Sequence, residues 1–124
     1  MTHRMLVLSL TASLTLGLNV QTALAHALLK KATPGVGSTV SASPSEIRIN
    51  FSEGVEPHFS AIALTTQAGA SVSVGKADVD PADNATLIAP IPQPLKPGVY
   101  TVTWRAVAID THKTQGSFQF TVQP

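Results

Sequence analysis

The sequence predicts an all-β fold, a Greek-key β-sandwich or barrel of about seven strands. After residue 26, short runs of alternating apolar and polar residues recur, separated by Pro, Gly, Ser and Asn. This pattern is typical of half-buried strands joined by turns. No apolar period of 3.6 residues persists in this part of the chain, so amphipathic helices are not predicted. There is no internal repeat, and the strand spacing matches sandwiches and Greek-key barrels.

Residues 1–25 have the form of a cleaved secretory signal peptide. Arg4 supplies a positive start, Met5 to Val20 is an apolar run, and Ala23 and Ala25 form a small-x-small cleavage site. The alternative is an uncleaved N-terminal anchor, but a membrane span needs roughly 20 predominantly apolar residues, and this run is shorter. Removal of 25 residues from 124 leaves 99, which we expect to form one exported domain, 26–124, with no membrane span.

The composition of this domain excludes several classes of function. With Arg4 removed, seven Lys and Arg balance seven Asp and Glu. The charges form no basic stripe, so nucleic acid is not expected as a partner. Cysteine is absent, so the domain has neither disulfides nor the thiolate ligands of a structural zinc site.

The first half of the domain contains four predicted strands. The clearest is 45–52, where Ile47, Ile49 and Phe51 alternate with polar residues and so share one face. A Pro34-Gly35 turn precedes a short strand at 37–41. Beyond the break at Pro57, the alternation predicts strands at 59–66 and 71–74.

In the second half, residues 76–84 are polar and contain Pro81, which predicts a loop before a short strand at 85–89. Four prolines between 90 and 97 then predict another loop. Residues 98–109 and 116–122 form the last two strands. Their inward-facing side chains are expected to be Tyr100, Val102, Trp104, Ala106, Ala108, Phe118, Phe120 and Val122.

The connection between these last two strands carries Asp110 and His112. The strands are expected to pair antiparallel. Residues two apart in extended backbone point to the same side, so the Asp110 and His112 side chains can converge on one ion. Taken singly, Asp110 is better explained as a turn residue and His112 as a surface histidine, so the metal-site interpretation depends on the two residues together.

Cleavage after Ala25 would make His26 the first residue of the mature chain. Its α-amine and imidazole would then form a six-membered chelate ring. With Asp110 and His112 they make a set of three nitrogens and one oxygen, which suits tetragonal Cu(II). Glu53 follows the 45–52 strand and is either a further oxygen ligand, an acceptor that orients an imidazole, or a solvated acid. His26 could also follow the cleavage site by coincidence.

The domain resembles the CopC/PcoC family of periplasmic copper-binding proteins along its whole length. The resemblance is carried by Ala25-His26, Thr33-Pro34, the block from Ile49 to Glu53, Tyr100-x-Val102-x-Trp104-Arg105, and Asp110-Thr111-His112 followed by Gly116-Ser117-Phe118. It implies a cupredoxin-like β-sandwich or barrel. It also implies one Cu(II) ion held by His26, Asp110 and His112, with Glu53 at or near the metal.

Some members of this family also bind Cu(I) through a methionine-rich loop. The corresponding stretch, about 67–83, has neither Met nor His here. The resemblance therefore implies a monomeric periplasmic protein that binds only Cu(II), serves copper homeostasis or resistance, and is not an enzyme. It also implies a CopD-type inner-membrane importer as a partner that receives the copper.

Two other functions are compatible with the same residues. An N-terminal histidine with a second histidine is also the copper site of lytic polysaccharide monooxygenases. Those enzymes are larger and present aromatic substrate surfaces, whereas this domain has one Trp and one Tyr. The second alternative is a structural β-domain that folds and acts without metal.

Overall fold

A computed structural model describes residues 29–124, which form two β-sheets around a common core. The strands in chain order are β1 (Leu29–Thr33), β2 (Thr39–Val40), β3 (Glu46–Phe51), β4 (Ala61–Thr66), β5 (Ser71–Val72), β6 (Asp78–Asp80), β7 (Asp83–Pro90), β8 (Gly98–Val107) and β9 (Lys113–Val122). A single 3-10 turn at Pro57–Phe59 precedes β4. The predicted all-β sandwich is confirmed.

The four-stranded sheet has the order β1-β3-β7-β6, and the five-stranded sheet has the order β2-β9-β8-β4-β5. Strand β2 pairs parallel with β9, and the other neighbouring strands pair antiparallel. The longest ladder joins β8 to β9, from Gly98 opposite Val122 to Val107 opposite Lys113. This ladder makes the β8–β9 hairpin the most regular part of the fold.

The core lies between the sheets and follows the alternation of the sequence. Ile47, Ile49 and Phe51 of β3 are buried, and all eight inward-facing residues predicted for the last two strands are buried as well. The ring of Phe51 meets that of Trp104 edge-on at 5.2 Å between centroids. This contact joins β3 of one sheet to β8 of the other. The burial of both rings removes large apolar areas from water.

The prediction of about seven strands was too low by two, because β1 at Leu29–Thr33 was not predicted as a strand and because 76–84 is not a loop. It contains β6 and the start of β7. Val79 packs against the core, while Asp78 and Asp80 lie beside it on the edge strand. The Asp80 side chain accepts a hydrogen bond from the Ala82 amide at 2.9 Å, which closes the turn that contains Pro81. The polar residues of this stretch belong to an edge strand and its turn. Val79 is the only apolar residue of that strand, so the alternation was too short to be recognised in the sequence.

Several strand ends also differ from the prediction. The strand predicted at 59–66 begins at Ala61 because Pro57–Phe59 form the 3-10 turn. Strand β9 begins at Lys113, three residues earlier than predicted, which shortens the connection that follows β8. No helix among residues 29–124 is long and apolar enough to cross a membrane. The predicted signal peptide and His26 lie outside the described residues.

Candidate metal-binding site

The tip of the β8–β9 hairpin carries Asp110 and His112. The Ala108 amide donates to the His112 carbonyl at 2.9 Å, and the Thr111 amide donates to the Ala108 carbonyl at 2.8 Å. Thr111 adopts a left-handed conformation with φ of 74°. The antiparallel pairing predicted for the two strands is confirmed. The predicted extended backbone between Asp110 and His112 is wrong, because the short connection requires a tight turn.

The turn nevertheless brings the two side chains together. Asp110 Oδ2 lies 2.9 Å from Nδ1 of the His112 ring, and Asp110 Oδ1 accepts the His112 amide at 3.1 Å. Both carboxylate oxygens therefore contact His112. With Nδ1 as the donor to Asp110, Nε2 keeps its lone pair available for a metal. The His112 side chain is 81% exposed, so this nitrogen is accessible.

The proximity of the two groups changes their proton affinities. The hydrogen bond from the His112 ring, followed by that from the His112 amide, lowers the pKa of Asp110. The hydrogen bond to Asp110, and then the negative charges of Asp110 and Glu53, raise the pKa of His112. A metal ion must displace the proton from an imidazole that it binds. The pair therefore makes metal binding at His112 sensitive to pH.

Glu53 lies beside the hairpin because the chain after β3 runs along the hairpin base. The Ile109 amide donates to the Gly54 carbonyl at 3.0 Å, and the Glu56 amide donates to the Val107 carbonyl at 2.8 Å. Val55 forms an antiparallel bridge with Ala108. Glu53 is exposed, and its charge acts on His112. Its position therefore follows from backbone contacts.

Asp110, His112 and Glu53 do not complete a metal site by themselves. Within residues 29–124, no three His, Cys, Asp or Glu side chains are grouped so that they could hold a metal ion. The first described residue, Leu29, pairs with Phe51, two positions before Glu53. Strand β1 therefore begins at the end of the sandwich that carries Glu53 and the hairpin tip. His26, the remaining predicted ligand, lies outside the described residues.

Two residues beside the site, Gly54 and Asn84, were not predicted from the sequence. A Cβ on Gly54 would lie 2.4 Å from the Ile109 side chain and 3.0 Å from the amide group of Asn84. The carbonyl of Asn84 also accepts the Val55 amide at 3.0 Å. Gly54 thus leaves room for the side chains of Ile109 and Asn84, which lie against the chain after β3. A glycine directly after Glu53 was the available signal, whereas nothing in the sequence singled out Asn84.

A polar groove on the outer face of the four-stranded sheet is a weaker candidate. Its volume is about 570 Å³ and its lining includes Arg48, Asn50, Asp80 and Asp83. Arg48 pairs with Asp80. Asn50 donates to the hydroxyl of Thr86 at 3.0 Å, and that hydroxyl donates to Asp83 at 2.9 Å. Because these groups satisfy one another, the groove offers no convergent set of free ligands.

Comparison with known proteins identifies close relatives. Residues 29–123 match the family model of the CopC domain. The protein YobA of Escherichia coli strain K12 is 39% identical over 112 residues, which cover 90% of each chain. Copper resistance protein C of Escherichia coli is 38% identical over 120 residues, covering 92% of this chain and 94% of the relative. The crystal structure of CopC from Methylosinus trichosporium OB3b superposes with a TM-score of 0.74 at 32% identity, over 80% of this chain and 95% of that one.

Proposed function

The chain belongs to the CopC family, and from this premise we propose that it is exported and binds one Cu(II) ion. The observation that carries the proposal is the Asp110–His112 pair at the hairpin tip, with 2.9 Å between carboxylate and imidazole. One relative is named a copper resistance protein. When the ring of a metal-binding histidine donates a hydrogen bond to a carboxylate, that bond fixes the orientation of the ring and increases the basicity of its other nitrogen.

We assign the metal ligands to His26, Asp110 and His112. His26 is three positions before Leu29, the residue opposite Phe51, and three steps of extended chain reach about 10 Å. The α-amine and imidazole of His26 can supply the donors that the hairpin lacks, provided that cleavage frees the amine. Asp110 supplies a carboxylate oxygen to the ion, and Glu53 lies at or near the metal, either as a further oxygen ligand or as a charge beside it.

The available donors favour Cu(II). The chain has no Cys, and its two Met residues, Met1 and Met5, lie in the predicted signal peptide. Cu(I) prefers soft thiolate and thioether ligands, whereas imidazole, amine and carboxylate suit Cu(II). We therefore propose a periplasmic, monomeric carrier or buffer of Cu(II) that performs no reaction on the ion. Delivery to a CopD-type inner-membrane importer is part of this proposal.

The decisive experiment compares two purified forms of the mature domain. One begins at His26, and the other has a single additional Gly before it. A competitive Cu(II) titration is combined with electron paramagnetic resonance. Because the additional residue moves the free amine away from the His26 ring, we expect it to weaken binding by orders of magnitude and to change the spectrum. Equal affinity and equal spectra would show that the amine is not a ligand.

Two substitutions distinguish a specific role of His112 in Cu(II) binding from a general effect of removing a histidine. His112→Ala removes the proposed imidazole ligand and should weaken Cu(II) binding strongly. His58→Ala is the matched control, because His58 is an exposed histidine in the 3-10 turn outside the proposed ligand set. It should leave the affinity unchanged. A loss of binding in His58→Ala equal to that in His112→Ala would overturn the assignment.

A further inference from the structure

Two large apolar side chains are exposed beside the hairpin tip. Among the described residues, Val36, Phe59 and Ile109 are the exposed large hydrophobics, and the last two are 66% and 55% exposed. Phe59 and Ile109 line one groove of about 690 Å³. Its other lining residues are Glu56, Arg105, Val107, Ala108, Thr111 and Lys113. Exposed apolar surface of this kind with a polar rim is typical of interaction sites.

This docking groove adjoins the proposed copper site. Ile109 and Thr111 both line the groove, and they flank Asp110 in the hairpin tip. Gly54, which lies next to Glu53, accepts a hydrogen bond from Ile109. A protein bound in the groove would therefore lie next to the exposed ring of His112.

The charges of the groove are unequally distributed. Arg105 and Lys113 lie on the outer face of the five-stranded sheet, since Lys113 pairs with Val107 and Arg105 is two residues from Val107. Neither cation forms an ion pair with another residue of 29–124. Glu56 is the one acidic residue in the lining. The β8–β9 side is therefore complementary to carboxylates.

We propose that the groove docks an acidic, partly apolar segment of a protein that receives copper from this site. The copper role rests on the proposed function, whereas the docking of the segment does not. Apolar side chains of the segment would cover Phe59 and Ile109, and its carboxylates would pair with Arg105 and Lys113. An anionic membrane would bring negative charge to Glu56 and Asp110 as well. A protein segment can place its carboxylates away from these two acids.

The docking is tested first without copper. The ¹⁵N-labelled mature domain is titrated with two synthetic peptides, each with Gly-Gly-His at its N-terminus and a tail of alternating Leu and Glu or alternating Leu and Lys. We expect the Glu peptide to shift the amide signals of Arg105, Val107, Ile109 and Lys113, and to bind at least about tenfold more tightly than the Lys peptide, because opposite charges attract across the interface. Equal binding of the two peptides would overturn the proposal.

The same peptides then serve as copper acceptors, because a free amine and a histidine at position three chelate Cu(II). Transfer from the copper-loaded domain should be about tenfold faster to the Glu peptide than to the Lys peptide at low salt. Arg105→Glu should abolish this difference and Phe59→Ser should reduce it. The matched controls are Lys96→Glu and Val36→Ser. Lys96 lies just before β8. Val36 precedes Gly37, whose amide donates to the Gln119 carbonyl. Both control residues therefore lie near the end of the β8–β9 ladder that is opposite the hairpin tip.

The peptide titration and the copper measurements together distinguish a failure of the proposed function from a failure of the docking proposal. If the domain binds no copper but the Glu peptide still shifts the groove residues, the proposed function fails and the docking surface stands. If copper binds normally but neither peptide shifts these signals, the docking proposal fails alone. Signals that move with protein concentration would assign the groove to a second copy of the chain. If phosphatidylglycerol vesicles shift these signals while phosphatidylcholine vesicles and both peptides do not, the groove binds an anionic membrane. Self-association and membrane binding would each overturn the proposal.

Discussion

Thr111 shows how one residue sets the geometry of the hairpin tip. Its φ of 74° is the only positive value among the non-glycine residues of 29–124. The left-handed conformation costs an L-residue about 1–2 kcal/mol, and a β-branched side chain is especially unfavourable there. The chain accepts this cost at the position between Asp110 and His112. The turn allows both oxygens of Asp110 to contact His112.

Thr111→Gly should stabilise the metal-free domain. Glycine adopts positive φ without steric cost, and we expect the free energy of unfolding to rise by about 1 kcal/mol. Urea denaturation followed by Trp104 fluorescence measures the change. The matched control is Thr103→Gly in the middle of β8, where φ is not positive and the loss should be about 0.5–1 kcal/mol. Destabilisation by Thr111→Gly would contradict the left-handed turn.

The pKa of His112 should depend on Asp110. Because the hydrogen bond and charge of Asp110 raise this pKa in the folded protein, Asp110→Asn should lower it towards the ordinary histidine value. NMR titration of the imidazole signals of the metal-free domain measures the shift, with His58 as the internal control. An unchanged pKa of His112 in the variant would show that the pair does not form in solution.

The sign of the pH effect follows from the raised pKa. While Asp110 is ionised, the raised pKa of His112 contributes stability that is fully present below the unfolded pKa of histidine and is lost as the pH rises through the folded pKa. At the acid end the lowered pKa of Asp110 sets the limit, because the contribution of the pair is lost as the pH falls through it. Copper binding has the opposite dependence, because it requires the neutral imidazole. Affinity for Cu(II) should therefore fall as the pH drops through the raised pKa of His112. A pH series of competitive titrations tests this expectation.

At the scale of elements, the sequence revealed the strands whose two faces differ clearly. In β3, β8 and the 118–122 part of β9, the alternation placed the core residues correctly because the inward residues are apolar. The start of β9 was missed because Thr114 and Gly116 occupy its first inward positions. Strand β6 escaped detection because Val79 is its only apolar residue and both neighbours are aspartates. Pairing with β7 and the contact of Val79 with the core stabilise it. These tertiary interactions cannot be read from local composition.

For the candidate site, the sequence predicted that Asp110 and His112 would be close, which is confirmed. It predicted the wrong backbone, because spacing alone does not distinguish extended chain from a turn with positive φ at Thr111. The proximity of Glu53 depends on the bond from the Ile109 amide to the Gly54 carbonyl, a contact between distant parts of the chain. Whether His26 completes the site stays a prediction.

Gly54→Ala tests the contact between the chain after β3 and the hairpin. The added methyl would lie 2.4 Å from the terminal methyl of Ile109 and 3.0 Å from the side-chain amide of Asn84, so the exposed Ile109 side chain must rotate and the Asn84 side chain must shift. We expect a loss of about 1–3 kcal/mol in the free energy of unfolding, together with weaker Cu(II) binding. The control is Gly35→Ala, whose methyl would find ordinary contacts from 3.5 Å. Unchanged stability and affinity in Gly54→Ala would show that this contact does not position the site.

At the scale of the whole molecule, the two sheets form one cooperative unit. Phe51 is 1% exposed and Trp104 is 2% exposed, and their rings contact each other across the core. Phe51→Ala should lower the free energy of unfolding by about 3–5 kcal/mol. Trp104 is the only tryptophan in the chain, so its fluorescence and the far-ultraviolet circular dichroism should report one shared transition. The control Phe59→Ala, on an exposed ring, should change stability by less than about 0.5 kcal/mol.

Copper should stabilise the mature domain as a whole. A ligand that binds only the folded state at 100 times its dissociation constant adds about 2.7 kcal/mol to the free energy of unfolding. Differential scanning calorimetry should show this as a higher melting temperature for the form that begins at His26. The form with an additional Gly should gain much less at the same copper concentration. Equal gains would place the stabilising ion elsewhere.

The edges of both sheets are unsuited to pairing with another chain. Strands β2 and β5 each have two residues, and β1 and β6 each contain a register shift. Lys30 and Lys31 of β1 and Asp78 of β6 are exposed charges on the other pair of edges. Short, irregular or charged edges hinder the addition of strands from neighbouring molecules. The domain should consequently resist fibril formation at high concentration, although most of its described residues lie in strands or the turns between them.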